Sequence, residues 1–136
     1  MTEAVTSDTP RKVLNVGQCG LDGPAIAQSL RDTFGCSVVD AESVREAGDV
    51  LDTQTFDLVL VNRILDATGE EGLELIRRVG DGGPPVMMIS NYADAQDAAE
   101  KAGGVRGFGK QDMGQPAMLD AVRPYLCGEG TAAADT

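Results

Sequence analysis

Few folds can accommodate the stretch Phe56-Asp57-Leu58-Val59-Leu60-Val61-Asn62. Its consecutive apolar and β-branched positions, fenced by polar residues, predict a strand buried on both faces, and such strands lie centrally in parallel sheets. In an open α/β sheet the carboxyl ends of the central strands are where ligands sit and chemistry is done. The residue at that end is Asn62, an amide, where an acid or a nucleophile would be useful.

The segments on either side alternate between the two periods. Lys12 to Val16 reads as a strand, followed by the glycine-spaced turn Gly17-Gln18-Cys19-Gly20-Leu21-Asp22-Gly23. Asp22 is the expected N-cap of a helix with Pro24 in its first turn; Ile26, Leu30 and Phe34 form its buried face and Gly35 closes it. Cys36 to Val39 is a second strand, at an edge. Ser43-Val44-Arg45-Glu46 has the spacing of a capping box, with Val44, Ala47 and Leu51 as the stripe of helix two. Thr68-Gly69-Glu70-Glu71 has the same spacing and is expected to open a helix burying Leu73, Ile76 and Val79. Val86 to Ser90 is a fourth strand, and Asp94 to Ala102 a helix with an alanine inner face (Ala95, Ala98, Ala99, Ala102), predicted to be the least stable. Val105 to Phe108 is a short fifth strand. Gln115 to Leu126 is the last helix, turned inward at Met118, Leu119 and Val122 and kinked or finished by Pro124. Strands and helices in strict alternation, with short connections, predict a doubly wound parallel sheet. Residues 1–10 and 128–136 read as disordered tails around one domain at 11–127.

Composition narrows the chemistry. The chain of 136 residues has no histidine, which excludes Ser/His and Cys/His nucleophile pairs, imidazole metal ligands and one-step histidine phosphotransfer. A formal charge of −11 argues against nucleic acid and anionic membrane surfaces. Cys19, Cys36 and Cys127, widely spaced and odd in number, suit reduced thiols. With no long apolar run and no signal-peptide h-region, a cytoplasmic protein is expected.

Taken in order, these pieces resemble the receiver domain of bacterial response regulators, the flavodoxin-like (βα)5 fold of two-component signal transduction and phosphorelays. The resemblance runs from Arg11 to Leu126. Phe56–Val61 with Gly72-Leu73-Glu74-Leu75-Ile76 corresponds to the family's third strand and third helix, Pro85–Ser90 with Tyr92-Ala93-Asp94 to its fourth strand and switch loop, and Gly104–Phe108 to its fifth strand. It implies strand order 2-1-3-4-5, with the site between strands one and three. Residue by residue, it puts the phosphoacceptor position on Asn62, the Mg²⁺-holding acidic pair on Gly17 and Gln18, the hydroxyl on Ser90 and the aromatic switch on Phe108. The lysine that the resemblance implies after strand five falls on Gln111 by a gapless count, the favoured reading, or on Lys110 with a one-residue deletion; the faces of a strand alternate, so the two are not equivalent. The loop Leu65 to Gly72 is about two residues longer than the family pattern, with Asp66 at its usual proline.

These departures remove the chemistry. An amide cannot attack a phosphoryl group as a carboxylate does, and Mg²⁺ wants hard anionic oxygens. A buried lysine without counter-charge is costly, and Gln111 would avoid it. The expectation is a pseudo-receiver: not an enzyme, without metal or cofactor, working as a phosphorylation-independent protein-interaction module. Its surface is expected on helix four, strand five and helix five (Asp97, Lys101, Arg106, Gln115, Arg123), the face also available for a homodimer. Other readings stay open. The glycine turn, with Asp40 or Glu42 downstream, could serve a small molecule, anion or nucleotide. Gln18, Asn62, Ser90 and Lys110 could form a donor-rich hollow for a phosphate-like ligand, unless Lys110 turns to solvent near Asp66 or Asp112 and Ser90 merely caps its loop. Phe108 is a switch or is packed on the alanine-rich helix; Cys19 is redox-sensitive or an inert thiol. A working regulator phosphorylated elsewhere, as on Asp66, is geometrically awkward.

Overall fold

A computed structural model describes residues 11–80 and 82–126; the two expected tails lie outside them. Five strands, β1 (Lys12–Val16), β2 (Ser37–Ala41), β3 (Leu58–Asn62), β4 (Val86–Ile89) and β5 (Val105–Phe108), form one parallel sheet in the order β2-β1-β3-β4-β5. Five helices alternate with them: α1 (Asp22–Phe34), α2 (Val44–Thr53), α3 (Gly72–Val79), α4 (Ala93–Lys101) and α5 (Pro116–Leu126). This is the flavodoxin-like (βα)5 architecture. None of the described helices is long and apolar enough to cross a membrane.

Strand alternation divides the core in two. Leu14, Val16, Val59, Val61 and Met88 face α2, α3 and α4, where Ala47, Leu75, Ile76 and Ala99 are buried. Val13, Leu58, Leu60 and Met87 face α1 and α5, against Ile26, Leu30, Met118 and Val122. Every residue of β3 is buried, as its apolar run requires. Only crossovers on both faces can cover such a strand.

Local signals mostly act where expected. Ser43 Oγ accepts the Glu46 N–H at 2.9 Å and caps α2, and Gly35 ends α1 in the left-handed conformation. Two caps fall elsewhere. Asp22 is the first residue of α1, not its N-cap, and its N–H is taken by Cys19 Sγ at 3.3 Å. Thr68 does not open α3, which begins at Gly72; its hydroxyl holds Glu70, whose carboxylate accepts the Val44 N–H at 3.0 Å. The long β3–α3 loop folds on itself, with Ile64 bridging Glu71 and Leu65 N–H donating to Glu70 O. Leu75 replaces the half-buried Leu73 and Val79 as the deep partner of Ile76 in α3.

Candidate functional site

The turn after β1 and the end of β3 meet at Asn62. Its side-chain Nδ2 donates to Gly17 O at 3.2 Å, and its Oδ1 accepts the Arg63 N–H at 3.0 Å. The amide is therefore used as a stitch between the two strand ends, a job that needs a donor and an acceptor on one side chain. Gly17 has φ +74°, and a side chain there would overlap the fully buried Leu65, which the folded-back loop lays over it. Gln18 Nε2 donates to Val16 O at 3.2 Å. The positions onto which the resemblance carries the Mg²⁺-holding acids and the phosphoacceptor thus offer a glycine covered by leucine and two amides. That set does not suit Mg²⁺, which takes carboxylate oxygens in a strict octahedron.

Asn62, Asp66, Ser90, Tyr92 and Lys110 line a hollow of about 470 Å³ above the sheet. Ser90 is buried and its Oγ accepts the Tyr92 N–H at 3.1 Å, so it caps the loop that follows β4. Of the two residues offered for the lysine position, Lys110 lines the hollow and Gln111 does not: the Gln111 side is exposed and its N–H is held by Asn91 Oδ1 at 3.2 Å. The gapless count that favours Gln111 carries no information about the backbone beyond Phe108. β5 ends there, and Lys110–Asp112 is a 3₁₀ turn that begins beside Gly109, whose N–H is taken by Asp112 Oδ2 at 3.0 Å. Nor is Lys110 stranded. It is half exposed, and its Nζ lies 3.4 Å from Asp22 Oδ2. Gln18 does not join this hollow; it lines a separate cavity.

Phe108 is buried in the layer of α1 and α5, with Met118, Val122 and Leu126, not on the alanine-rich helix. Beside the buried Ala99, α4 places Gln96 against β4 and β5, a residue the alanine pattern hid. Its Nε2 donates to Met88 O at 2.9 Å and lies 3.3 Å from Ser90 O, while its Oε1 accepts the Gly107 N–H at 2.8 Å. The reason is a bulge: between Met87 and Ile89 β4 takes two steps, while between their partners Val105 and Phe108 β5 takes three. The ladder cannot pair Met88 O with Gly107 N–H, so a buried side-chain amide does. Only glycine fits at 107, because a Cβ would strike Met88 O. Beside it, Arg106 bonds Asp97 at 3.0 Å and Glu100 at 2.7 Å across the surface, and these two bonds hold its guanidinium pKa above the ordinary value.

Cys19 is half buried. Cys36 is buried, and loss of hydration pushes its thiol pKa up. Among the described residues no three His, Cys, Asp or Glu side chains gather as a metal site.

No family model matches the sequence, and no curated protein does. Solved structures do. A CheY-like receiver domain protein from Methanospirillum hungatei superposes with TM-score 0.72 at 20% identity, over 91% of this chain and 99% of that one. A chemotaxis response regulator of Vibrio cholerae gives 0.71 at 19%, over 87% and 100%. A response regulator from Burkholderia pseudomallei, solved with a phosphorylated aspartic acid, a calcium ion and citrate, gives 0.68 at 21%, over 91% and 72%. The chain therefore has the fold of response-regulator receivers.

Proposed function

We propose that this chain is a pseudo-receiver, a two-component signalling module that works through a protein surface and without being phosphorylated. The observation that carries the reading is the Asn62 stitch to Gly17 O, with Leu65 seated on Gly17. An aspartate at 62 would turn an unprotonated oxygen toward that carbonyl, and an acid at 17 has no room. The β4–α4–β5 region supports the same reading. Gln96 ties it into one arrangement, where a phosphorylation-driven switch would need two. The exposed face beside it, with Asp97, Lys101, Arg106, Gln115 and Arg123, is the proposed surface for a partner or a second copy. A reducing, cytoplasmic setting fits the separated thiols Cys19 and Cys36.

The alternative of an anion or nucleotide phosphate on the glycine turn has less support. Gly17 N–H is taken by Ala41 O at 2.8 Å, Asp22 N–H by Cys19 Sγ and Gly23 N–H by Cys19 O at 2.9 Å. A phosphate cradle needs such N–H groups free.

The test is incubation of the intact chain with acetyl phosphate and Mg²⁺, followed by mass spectrometry. No phospho-adduct is expected, and a stable adduct on any aspartate, Asp66 included, would sink the reading. In a pull-down, Arg106→Glu is expected to lose the partner, and phosphodonor to leave its capture unchanged.

A further inference from the structure

Beneath the glycine turn lies a second cavity, of about 220 Å³, over the carboxyl ends of β1 and β2. Asn15 and Gln18 line it, with Asp40, Glu42 and Asp66 among the other lining residues. Asn15 is 1% exposed, and its Oδ1 has no hydrogen-bond partner; Gln18 Oε1 is buried and also has none. Neither amide can be turned round to cure this. Asn15 Nδ2 faces Gly23 O at 3.5 Å and Gln18 Nε2 faces Val16 O at 3.2 Å, so a flip would set oxygen against oxygen. A buried carbonyl oxygen without a donor is costly, and two beside one cavity ask for a common explanation.

The polarity of the whole cavity has one sign. Its unpartnered buried side-chain atoms are both acceptors, three of its lining residues are carboxylates, and no lysine or arginine lines it. The N–H groups of Gly17, Asp22, Gly23 and Glu42, which border it, are already engaged. A bare metal ion is a poor match, because the carboxylates do not converge with a third ligand of that kind. A group carrying several N–H donors and a positive charge answers every part of the description. We infer that this cavity binds a small organic cation through a primary ammonium group, which donates to Asn15 Oδ1 and Gln18 Oε1 while Asp40 and Glu42 balance its charge. Both oxygens are buried, so the ligand seats as the turn yields at the exposed Gly20. This site is independent of the interaction-module reading, and either can fail alone.

The full chain, ¹⁵N-labelled, is titrated with n-butylammonium and in parallel with tetramethylammonium, which has the charge but no N–H, in about 150 mM salt to screen surface attraction. Saturable movement of the signals of residues 15–20 and 40–42 is expected with n-butylammonium alone. The paired exposed substitutions Asp40→Asn and Glu42→Gln should weaken that response by about threefold to tenfold without changing the fold. Asn15→Leu should abolish it and melt no lower than the parent, since the orphaned oxygen goes with the side chain. Equal response to both ions would mean bulk attraction to an acidic protein and would overturn the proposal. So would no response, which leaves water as the partner of these oxygens, or movement of the same signals by orthophosphate instead.

Discussion

Two seams at the top of this sheet are each closed by a buried amide, but for opposite reasons. Between β1 and β3, Asn62 stands where the receiver resemblance puts an acid, and its bond to Gly17 O ties the two strand ends. Between β4 and β5, Gln96 reaches in from α4 and repairs a ladder broken by one extra residue. The first is a substitution at a position already marked by the strand pattern. The second is an addition, and no pattern in α4 announces it. Together they teach that a strand end can be tied from within its own sheet or from a neighbouring helix, and that in both cases a side-chain amide takes up the hydrogen bonds.

The sharpest way to break this comparison is at Gln96. Gln96→Leu keeps the volume but leaves Met88 O and Gly107 N–H without partners, and should cost about 3 kcal/mol in urea unfolding. A loss below about 0.5 kcal/mol would mean that the amide is an ornament of the bulge, since that is the range of ordinary surface changes. Gly17→Asp comes next, at about 2–3 kcal/mol, because the positive φ is strained for a side chain and Leu65 must move. It should gain no Mg²⁺ affinity, even combined with Gln18→Asp and Asn62→Asp; calorimetric titration with Mg²⁺ decides. Asn62→Asp alone should cost about 1–2 kcal/mol by removing the donor to Gly17 O, and should remain unmodified by acetyl phosphate. If it proved neutral, the two seams would differ in kind, with only the β4–β5 one contributing to stability. Lys110→Gln breaks a half-exposed pair with Asp22 and should cost no more than about 0.5 kcal/mol. The smallest effect concerns Cys36. Its thiol pKa is raised by burial, so the unfolded chain ionises first; its contribution to stability is full below the ordinary thiol pKa and declines as pH rises through it. Unfolding curves of a Cys36→Ala variant between neutral and alkaline pH should lack that decline.

How far the sequence could be read followed the range of the interaction involved. The element order, the doubly wound sheet, the edge position of β2 and the capping of α2 by Ser43 are written in local periodicity and in one-turn spacings, and they hold in the structure. So does the placing of an amide at the end of β3. Where an inference was carried beyond its element it failed. A gapless count across the end of β5 put Gln111 ahead of Lys110, but a 3₁₀ turn begins there and it is Lys110 that lines the hollow. Alanine counting passed over Gln96, since a glutamine among alanines reads as surface until a bulged strand is found beneath it.

The sequence by itself determined the class of fold, the amide at the critical strand end and the absence of histidine chemistry, because each depends on residue type and near-neighbour spacing. Only the tertiary structure decided that Leu65 would lie on Gly17, that Lys110 would find Asp22 across 88 positions of chain, and that Asn15 and Gln18 would keep unpartnered oxygens beside one cavity. Those outcomes depend on which distant groups meet and on what each already bonds, and no period along the chain encodes a meeting of that kind.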